Sequence, residues 1–141
     1  MAEEPFEAID DPRVACGPAE RQQIGAILQL VNQPIGNVSL VSSIRGSTRG
    51  DHYHMRDWHY IYVMTGELSY YFRPAGSTDA PAQVQVRTSE MIFTPPMVEH
   101  KLVFTADTLL LVMRGFPEPS SGDAPDAVDV VMQVPASEES A

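Results

Sequence analysis

Short apolar segments rich in β-branched and aromatic residues recur along this chain, and turn-forming residues separate them. The strand-like segments are 38–45, 58–64, 68–73, 84–88, 91–94, 100–104 and 108–114. Strands this short, at roughly ten-residue spacing, are typical of β-sandwiches and β-barrels. No convincing long helix and no internal repeat interrupts them. The sequence therefore predicts an all-β sandwich or barrel, in which Gly66–Glu67 joins two strands as a hairpin.

The 141 residues are enough for a single domain. Residues 1–22 are rich in Glu, Asp, Pro and Ala, which predicts an exposed N-terminal arm or a short helix. Residues 23–116 hold the strand-like segments and form the predicted barrel core. Residues 117–141 begin as a Pro/Ser/Gly linker and end in a polar tail that is expected to be flexible. Between them, residues 127–134 are compatible with an edge strand.

Charge and cysteine content narrow the range of partners and compartments. Acidic residues outnumber basic ones by 19 to 9, which gives a net charge of −10. This charge argues against binding to nucleic acid or to anionic membranes. Cys16 is the single cysteine, so no internal disulfide can form, and the N-terminus lacks a signal-peptide pattern. No apolar run approaches the ~20 residues needed to span a bilayer. We expect a cytoplasmic protein with a small-molecule partner.

Histidines are few and concentrated. His52, His54 and His59 lie close together, and His100 follows a Pro-Pro turn. Side chains at i and i+2 of a strand share one face and lie roughly 7 Å apart. Two imidazoles at that spacing can bind one ion at ~2.1 Å from each nitrogen. The sequence predicts a metal site held by all four histidines.

The first histidine segment resembles the first motif of the cupins, which are small double-stranded β-helix (jelly-roll) barrels. That motif is G-x5-H-x-H-x3,4-E-x6-G. Here the same spacing runs through Gly46, His52, His54, His59 and Gly66, with His59 in the position where the family usually has Glu. The resemblance implies an all-β cupin barrel and a metal ion held by these imidazoles.

The second cupin motif, G-x5-P-x-G-x2-H-x3-N, is kept only in part. Pro95 and His100 occupy their positions, whereas Ser89 and Met97 replace the glycines and Phe104 replaces the Asn. The resemblance covers roughly residues 38–115. All four histidines of the chain then fall on positions that bind metal in the family.

Replacing Glu by His59 changes the expected chemistry. Four neutral imidazoles leave the full +2 charge on a divalent ion, which makes it a stronger Lewis acid. Without the carboxylate the site also stabilises a +3 metal ion less well, so the replacement favours non-redox chemistry. Zinc is the first choice, although iron, nickel and cobalt also suit imidazole. No protein side chain is identified as the catalytic base, and a metal-bound water held by His52, His54, His59 and His100 is the expected reactive group.

The strand alternation also predicts what surrounds the ion. The side chains expected to face the pocket with the imidazoles are Ile61, Val63, Leu102 and Phe104. Such a lining favours a hydrophobic substrate that bears carbonyl groups. Trp58, Tyr60 and Tyr62 should point away from the pocket. Acidic residues near the histidines are acid–base candidates by proximity alone, and nearby arginines are candidates for binding an anion. These are Asp51, Asp57, Glu99, Arg45, Arg49 and Arg56.

Several cupin groups resemble this chain. The aromatic polyketide cyclases of the resistomycin type match in size and in their His-rich first motif, which implies a metal-dependent aldol ring closure in antibiotic biosynthesis. The sugar-nucleotide isomerases and epimerases share an Arg-Gly-x-His-x-His segment, here residues 49–54, but they need a basic site for the diphosphate. Iron or nickel dioxygenases of polyphenols and a sensor cupin without turnover stay as alternatives. The resemblance also implies a homodimer, with residues 1–35 available as an exchanged arm.

Overall fold

The protein is built from short antiparallel strands. The computed structural model describes residues 11–17, 19–118 and 125–135. Within these ranges there is no helix, and hence none with the length and apolarity needed to cross a membrane. The strands are β1 (Arg13–Val14), β2 (Ala19–Gln22), β3 (Gly25–Leu28), β4 (Asn37–Ser43), β5 (Thr48–His54), β6 (His59–Thr65), β7 (Glu67–Pro74), β8 (Ala82–Arg87), β9 (Met91–Thr94), β10 (Val98–Phe104), β11 (Thr108–Arg114) and β12 (Ala127–Asp129).

Two five-stranded sheets carry most of these strands. One sheet has the order β1-β9-β6-β11-β4, and the other has the order β12-β5-β10-β7-β8. Every neighbouring pair in both sheets is antiparallel. Strands that are neighbours in sequence often lie in different sheets, which is the jelly-roll arrangement. The all-β prediction is confirmed.

The core lies between the two sheets and follows from the alternation along each strand. On β10, Leu102 and Phe104 face inwards and are 4% and 0% exposed. On β6, Ile61 and Val63 do the same at 4% and 0%. These two strands contribute alternate residues to this layer because successive side chains point to opposite faces of a sheet. The layer also holds Leu68, Tyr70, Phe72, Val86, Ile92, Val98 and Leu110.

The predicted hairpin at Gly66–Glu67 is wrong. Strand β6 pairs with β9 and β11, whereas β7 pairs with β10 and β8, so the chain crosses from one sheet to the other at this point. Gly66 makes the crossing possible, because its φ is +113° and a Cβ there would lie 2.3 Å from Thr108 Oγ1. A short connection looks the same in sequence whether it joins paired strands or crosses between sheets.

The N-terminal region forms strands where the structure describes it. Strand β1 extends the first sheet by pairing with β9. Strands β2 and β3 pair with each other as a separate two-stranded sheet, and Ile24 at its turn is 94% exposed. The expected short helix is therefore absent from residues 11–17 and 19–22, while residues 1–10 lie outside the described part. The apolar stretch after residue 23 starts as an exposed hairpin rather than as core.

The C-terminal segment joins the second sheet. Strand β12 pairs antiparallel with β5, so Ala127 lies opposite His54 and Asp129 opposite His52. Further on, Met132 is 2% exposed and packs with Tyr71 and Val103 on the outer face of the second sheet. The edge strand that the sequence left open is thus present over three residues. The predicted linker at 119–124 and the tail at 136–141 lie outside the described residues.

Candidate metal centre

Three strands bring the four histidines to one place. His52 and His54 end β5, His59 begins β6, and His100 lies near the start of β10. The ring centroids of His52 and His100 are 4.7 Å apart, those of His52 and His54 are 4.9 Å apart, and those of His59 and His100 are 5.1 Å apart. The clustering that the sequence predicted is present in the structure. Strand β5, which the sequence analysis did not include among the strand-like segments, ends at His54.

A bulge in β5 lies directly beside the cluster. The register between β5 and β10 shifts after His100, so that His52 pairs with His100 while Gly50 pairs with Lys101 and Asp51 is the extra residue. Asp51 has a φ of 58° and Gly50 a φ of +100°. A Cβ on Gly50 would lie 2.6 Å from the carbonyl oxygen of His100. Bulges commonly re-aim a neighbouring side chain, and here the neighbour is His52.

The four imidazoles are not equivalent. Ligand atoms of His52, His54 and His100 all lie within 4.8 Å of one another. His59 is outside this triad, although its ring centroid is 5.1 Å from that of His100 and 6.0 Å from that of His54. The Nε2 atom of His59 is buried and has no hydrogen-bond partner among the described residues. The geometry therefore separates three close imidazoles from a fourth with an unused ring nitrogen.

Two members of the triad have a partner at Nδ1. His100 Nδ1 lies 3.1 Å from the carbonyl oxygen of Val98. Because a carbonyl oxygen only accepts, Nδ1 carries the proton and the lone pair of Nε2 is left free. His54 Nδ1 lies 3.5 Å from Oδ2 of Asp126. Such partners fix the tautomer and ring orientation of histidines that bind metals.

Burial favours the neutral form of His52, His59 and His100. It is the largest effect lowering the pKa of His100 to about 3, and the nearby His52 lowers it further. Burial likewise holds the pKa of His59 well below its usual value, with His100 and His54 adding to the effect. The pKa of His52 is lowered by burial and by His54. Neutral imidazoles offer lone pairs, which a divalent cation requires.

The imidazoles open into a cavity of about 550 Å³ between the two sheets. Ile61 and Leu102 line it, as predicted. Val63 and Phe104 do not line it; both are fully buried further along their strands, where the two sheets close on each other. The opposite wall of the cavity is formed by β4 and β11 and was not predicted from the sequence. The remaining lining residues are Ser39, Val41, Thr48, Arg49, Gly50, Leu110, Val112 and Arg114. The alternation along β11 was the available signal for Leu110 and Val112.

The acidic residues that the sequence suggested as acid–base candidates lie outside the pocket lining. Asp57 Oδ1 accepts hydrogen bonds from the backbone N–H groups of Trp58, Gly115 and Phe116, so it caps a loop. Glu99 is 3% exposed and is bonded to Arg73 at 2.8 Å. The pocket lining contains no carboxylate, tyrosine or lysine within the described part of the chain, so Asp51 is outside it as well.

Of the three arginines that the sequence suggested for binding an anion, one lies in the pocket lining and two do not. Arg49 lines the pocket, and Arg114 at the end of β11, which the sequence analysis did not single out, lines it too. Arg114 lies opposite His59 in the β6–β11 register. Arg45 and Arg56 are not among the lining residues. The pocket therefore presents four imidazoles and two guanidinium groups among apolar and hydroxyl side chains.

The fold is shared with several proteins of known structure. QdtA, a sugar 3,4-ketoisomerase from Thermoanaerobacterium thermosaccharolyticum solved in complex with TDP, gives a TM-score of 0.62 at 15% identity over 79% of this chain and 82% of that chain. The dTDP-4-dehydrorhamnose 3,5-epimerase from Sulfolobus tokodaii gives 0.65 at 16% identity over 85% and 78%. The capsular polysaccharide assembling protein CapF from Staphylococcus aureus gives 0.61 at 19% identity over 84% of this chain and only 34% of CapF.

These likenesses confirm the cupin jelly-roll fold. They do not support the closer resemblance to polyketide cyclases that the sequence favoured. A search of curated protein sequences gives no match. The family model described as "Polysaccharide biosynthesis C-terminal domain" matches residues 21–128, which is well over half of the chain. The chain therefore belongs to the polysaccharide biosynthesis C-terminal domain family.

Proposed function

We propose that this protein is a metal-dependent keto-sugar isomerase or epimerase that acts on a nucleotide-activated sugar. The observation that carries the proposal is the pocket itself, where a triad of imidazoles, a fourth imidazole with a free ring nitrogen and two arginines converge in about 550 Å³. The family match to polysaccharide biosynthesis supports a sugar substrate. Two proteins of similar fold, a sugar 3,4-ketoisomerase and a dTDP-4-dehydrorhamnose 3,5-epimerase, are named for reactions at carbons next to a keto group of a sugar.

The triad of His52, His54 and His100 would hold the metal. Its ligand atoms are close enough to converge on one ion, and three imidazoles suit zinc first and iron, nickel or cobalt next. The Nδ1 atom of His100 already has a carbonyl partner, which leaves its Nε2 as the ligand atom. When bound, a divalent cation supplies Lewis-acid polarisation of a carbonyl oxygen, which acidifies the neighbouring C–H bond.

His59 is the group that would exchange the proton at that carbon. It is the imidazole outside the triad, and its Nε2 atom has no partner among the described residues. Other polar groups of the lining are hydroxyls and guanidinium groups, which are poor bases near neutral pH. In this proposal His59 Nε2 takes the proton from the carbon beside the keto group and returns it to the former carbonyl carbon, while the hydroxyl proton passes to the former carbonyl oxygen. In an epimerisation the carbon would instead receive a proton from solvent on its opposite face.

The two arginines would bind the negative charge of an activated sugar. Arg49 lies three positions before His52 on β5, and Arg114 faces His59 across the first sheet. Guanidinium groups suit phosphate oxygens because their planar donors can bind two oxygens at once. In this proposal the basic site comes from residues far apart in the chain. Phosphate binding would require Arg114 to exchange its ion pair with Glu118, and Arg49 its hydrogen bond to Ser43 Oγ, for phosphate oxygens.

Exchange of a substrate proton with solvent tests this proposal. The zinc-loaded protein is incubated in D₂O with TDP-4-keto-6-deoxyglucose, and deuterium at the carbons beside the keto group is followed by mass spectrometry and NMR. We expect incorporation by the wild type and at least a hundredfold less by His59→Gln. Binding of TDP alone, measured by calorimetry, should weaken in Arg49→Gln and Arg114→Gln. Absence of both exchange and TDP binding in metal-loaded protein contradicts the proposal.

A metal-dependent cyclase of aromatic polyketides is the second candidate. The observation in its favour is the apolar wall of the pocket, formed by Ile61, Leu102, Leu110 and Val112. A hydrophobic poly-β-ketone fits such a wall, and its ring closure begins with the same loss of a proton beside a carbonyl. A nucleoside diphosphate would not compete with that substrate, so TDP binding distinguishes the two candidates.

We further propose that the protein is a homodimer. The outer face of the first sheet exposes Val38 and Leu40, at 59% and 65%, on its edge strand β4. The hairpin β2–β3 forms its own small sheet and exposes Ile24 and Ile27. A two-stranded hairpin has marginal stability alone, so a second copy that receives it would bury both apolar surfaces.

A further inference from the structure

The C-terminal segment brings one carboxylate to the metal centre. Asp126 precedes β12, and its Oδ2 atom lies 3.5 Å from Nδ1 of His54, far from it in sequence. The two side chains are 15% and 14% exposed. A separation of 3.5 Å is longer than a formed N–H···O bond and lies within the roughly 4 Å range of an electrostatic pair. The C-terminal segment therefore contacts a member of the triad.

Asp126 is fixed in place by the loop that follows His54. Its Oδ1 accepts the backbone N–H of Arg56 at 2.9 Å, and its Oδ2 accepts the backbone N–H of Asp57 at 2.9 Å. The Nε of Arg56 lies 3.6 Å from the same carboxylate, but that side chain is 76% exposed. Two backbone donors thus orient the carboxylate so that one oxygen is shared with the imidazole.

The segment around Asp126 is itself held along β5. The backbone N–H of Met55 donates to the carbonyl of Asp126, and the N–H of Val130 donates to the carbonyl of Asp51. Between these bonds β12 pairs with the two histidines that end β5. Met132, 2% exposed, anchors the segment beyond them. Asp126 therefore lies on a pinned strand, whereas a carboxylate on a free tail would be solvated.

We propose that Asp126 is the positioning residue of the metal centre, which rests on the proposed function. Its carboxylate holds the proton on Nδ1 of His54 and so presents the Nε2 lone pair to the metal. The Val98 carbonyl does the same for His100 from two residues away. Partners of this kind typically change metal affinity by about 10–100-fold.

The test compares Asp126→Asn with Arg56→Ala in the full chain. Arg56→Ala is the matched control, because it removes the exposed partner of the same carboxylate and leaves the imidazole contact intact. Affinities for Zn²⁺ and Co²⁺ are measured by competition with a chelating dye. We expect Asp126→Asn to lose about 10–100-fold in affinity. Arg56→Ala should lose no more than about fivefold, as for an exposed ion pair.

A readout in metal-free protein separates positioning from simple loop capping. Long-range ¹H–¹⁵N spectra report which ring nitrogen of His54 carries the proton, and the urea midpoint reports stability. We expect the Nδ1–H tautomer in the wild type and in Arg56→Ala, and a mixture of tautomers in Asp126→Asn. A lowered midpoint with unchanged tautomer and unchanged metal affinity would mean that Asp126 only caps the loop, and the inference would be overturned.

The same measurements distinguish this inference from the function it rests on. A wild-type protein that takes up neither Zn²⁺ nor Co²⁺ overturns both. Equal metal affinity in the wild type and Asp126→Asn overturns the inference alone and leaves the metal centre standing. Should Asp126→Asn prove too unstable to purify, Asp126→Glu provides the comparison, because it keeps the charge and displaces it by one methylene.

Discussion

His52 and His100 face each other across β5 and β10 as a register pair, with their ring centroids 4.7 Å apart. They come from opposite halves of the site in sequence, yet the strand pairing fixes their separation. Side chains directly opposite in an antiparallel pair are the closest that two strands can offer. This pair, together with His54, forms the proposed metal site.

Removing one member of the triad should abolish stoichiometric metal. His52→Ala, His54→Ala and His100→Ala each leave two of the three close imidazoles, which cannot complete a stable site. Metal content per chain after purification and dialysis, measured by plasma mass spectrometry, checks this. Ser39→Ala is the control, because it lines the same pocket and supplies no imidazole. Full loading of a protein that lacks both His52 and His54 would contradict the model.

His59→Glu and His59→Gln should retain the metal and change activity. His59 lies outside the group whose ligand atoms are within 4.8 Å of one another, so binding by the triad persists. Glu restores a negatively charged base and can alter metal preference, whereas Gln offers no base at all. Metal content and solvent-deuterium exchange measured on the same samples test this. Loss of metal in His59→Gln would instead make His59 an essential ligand.

Gly50→Ala should disturb the metal centre more than an equivalent change elsewhere. A Cβ there would lie 2.6 Å from the His100 carbonyl, at a φ of +100°. Gly76 is the matched control, because its φ is +82° and a Cβ would meet nothing within 4 Å. We expect Gly76→Ala to cost about 1 kcal/mol in the free energy of unfolding. Gly50→Ala should cost at least about 2 kcal/mol and weaken metal binding, because the bulge must shift.

Urea unfolding measures the loss of stability in Gly50→Ala and Gly76→Ala, and competition with a chelator measures their metal affinity. Equal losses of stability in Gly50→Ala and Gly76→Ala, with metal affinity unchanged in both, would show that the bulge does not shape the site.

Glu99→Gln should destabilise the fold without affecting the metal. The Glu99 carboxylate is buried, bonds to Arg73 at 2.8 Å and accepts the backbone N–H of Gly76. Leaving Arg73, whose side chain is 16% exposed, without its partner should cost roughly 3 kcal/mol. Arg87→Gln breaks the more exposed pair with Glu67 and should cost less than about 1 kcal/mol. Urea unfolding midpoints check both values. Reduced incorporation of solvent deuterium into the substrate by Glu99→Gln would indicate a catalytic role instead.

Charges on the exposed apolar face should dissociate the proposed dimer. Leu40→Asp on β4 and Ile24→Asp on the hairpin place a charge where a second copy would bury a side chain. Sedimentation velocity should show a dimer for the wild type and monomers for both variants. Val131→Asp, at a site that is 78% exposed on the C-terminal segment, is the control and should remain dimeric. A monomeric wild type at high concentration rules out the dimer.

The sequence by itself determined the fold class and which pocket residues share one face of a strand. Alternation placed His100 and Leu102 on one face of β10, and the His52-x-His54 spacing placed two imidazoles together on β5. Such features depend on neighbours one or two residues away, because the side-chain period of a strand is local. They could therefore be predicted before any strand was paired.

Only the tertiary structure decided which sheet each strand joins, and with it the details of the site. It separated β6 from β7, placed Val63 in the closed core, supplied Leu110 and Arg114 to the pocket, and brought Asp126 to His54. Each of these depends on contacts between distant segments, where the burial of a whole sheet face outweighs local preference. The one-residue bulge at Asp51 could not be predicted from the sequence either, because it depends on how β5 pairs with β10.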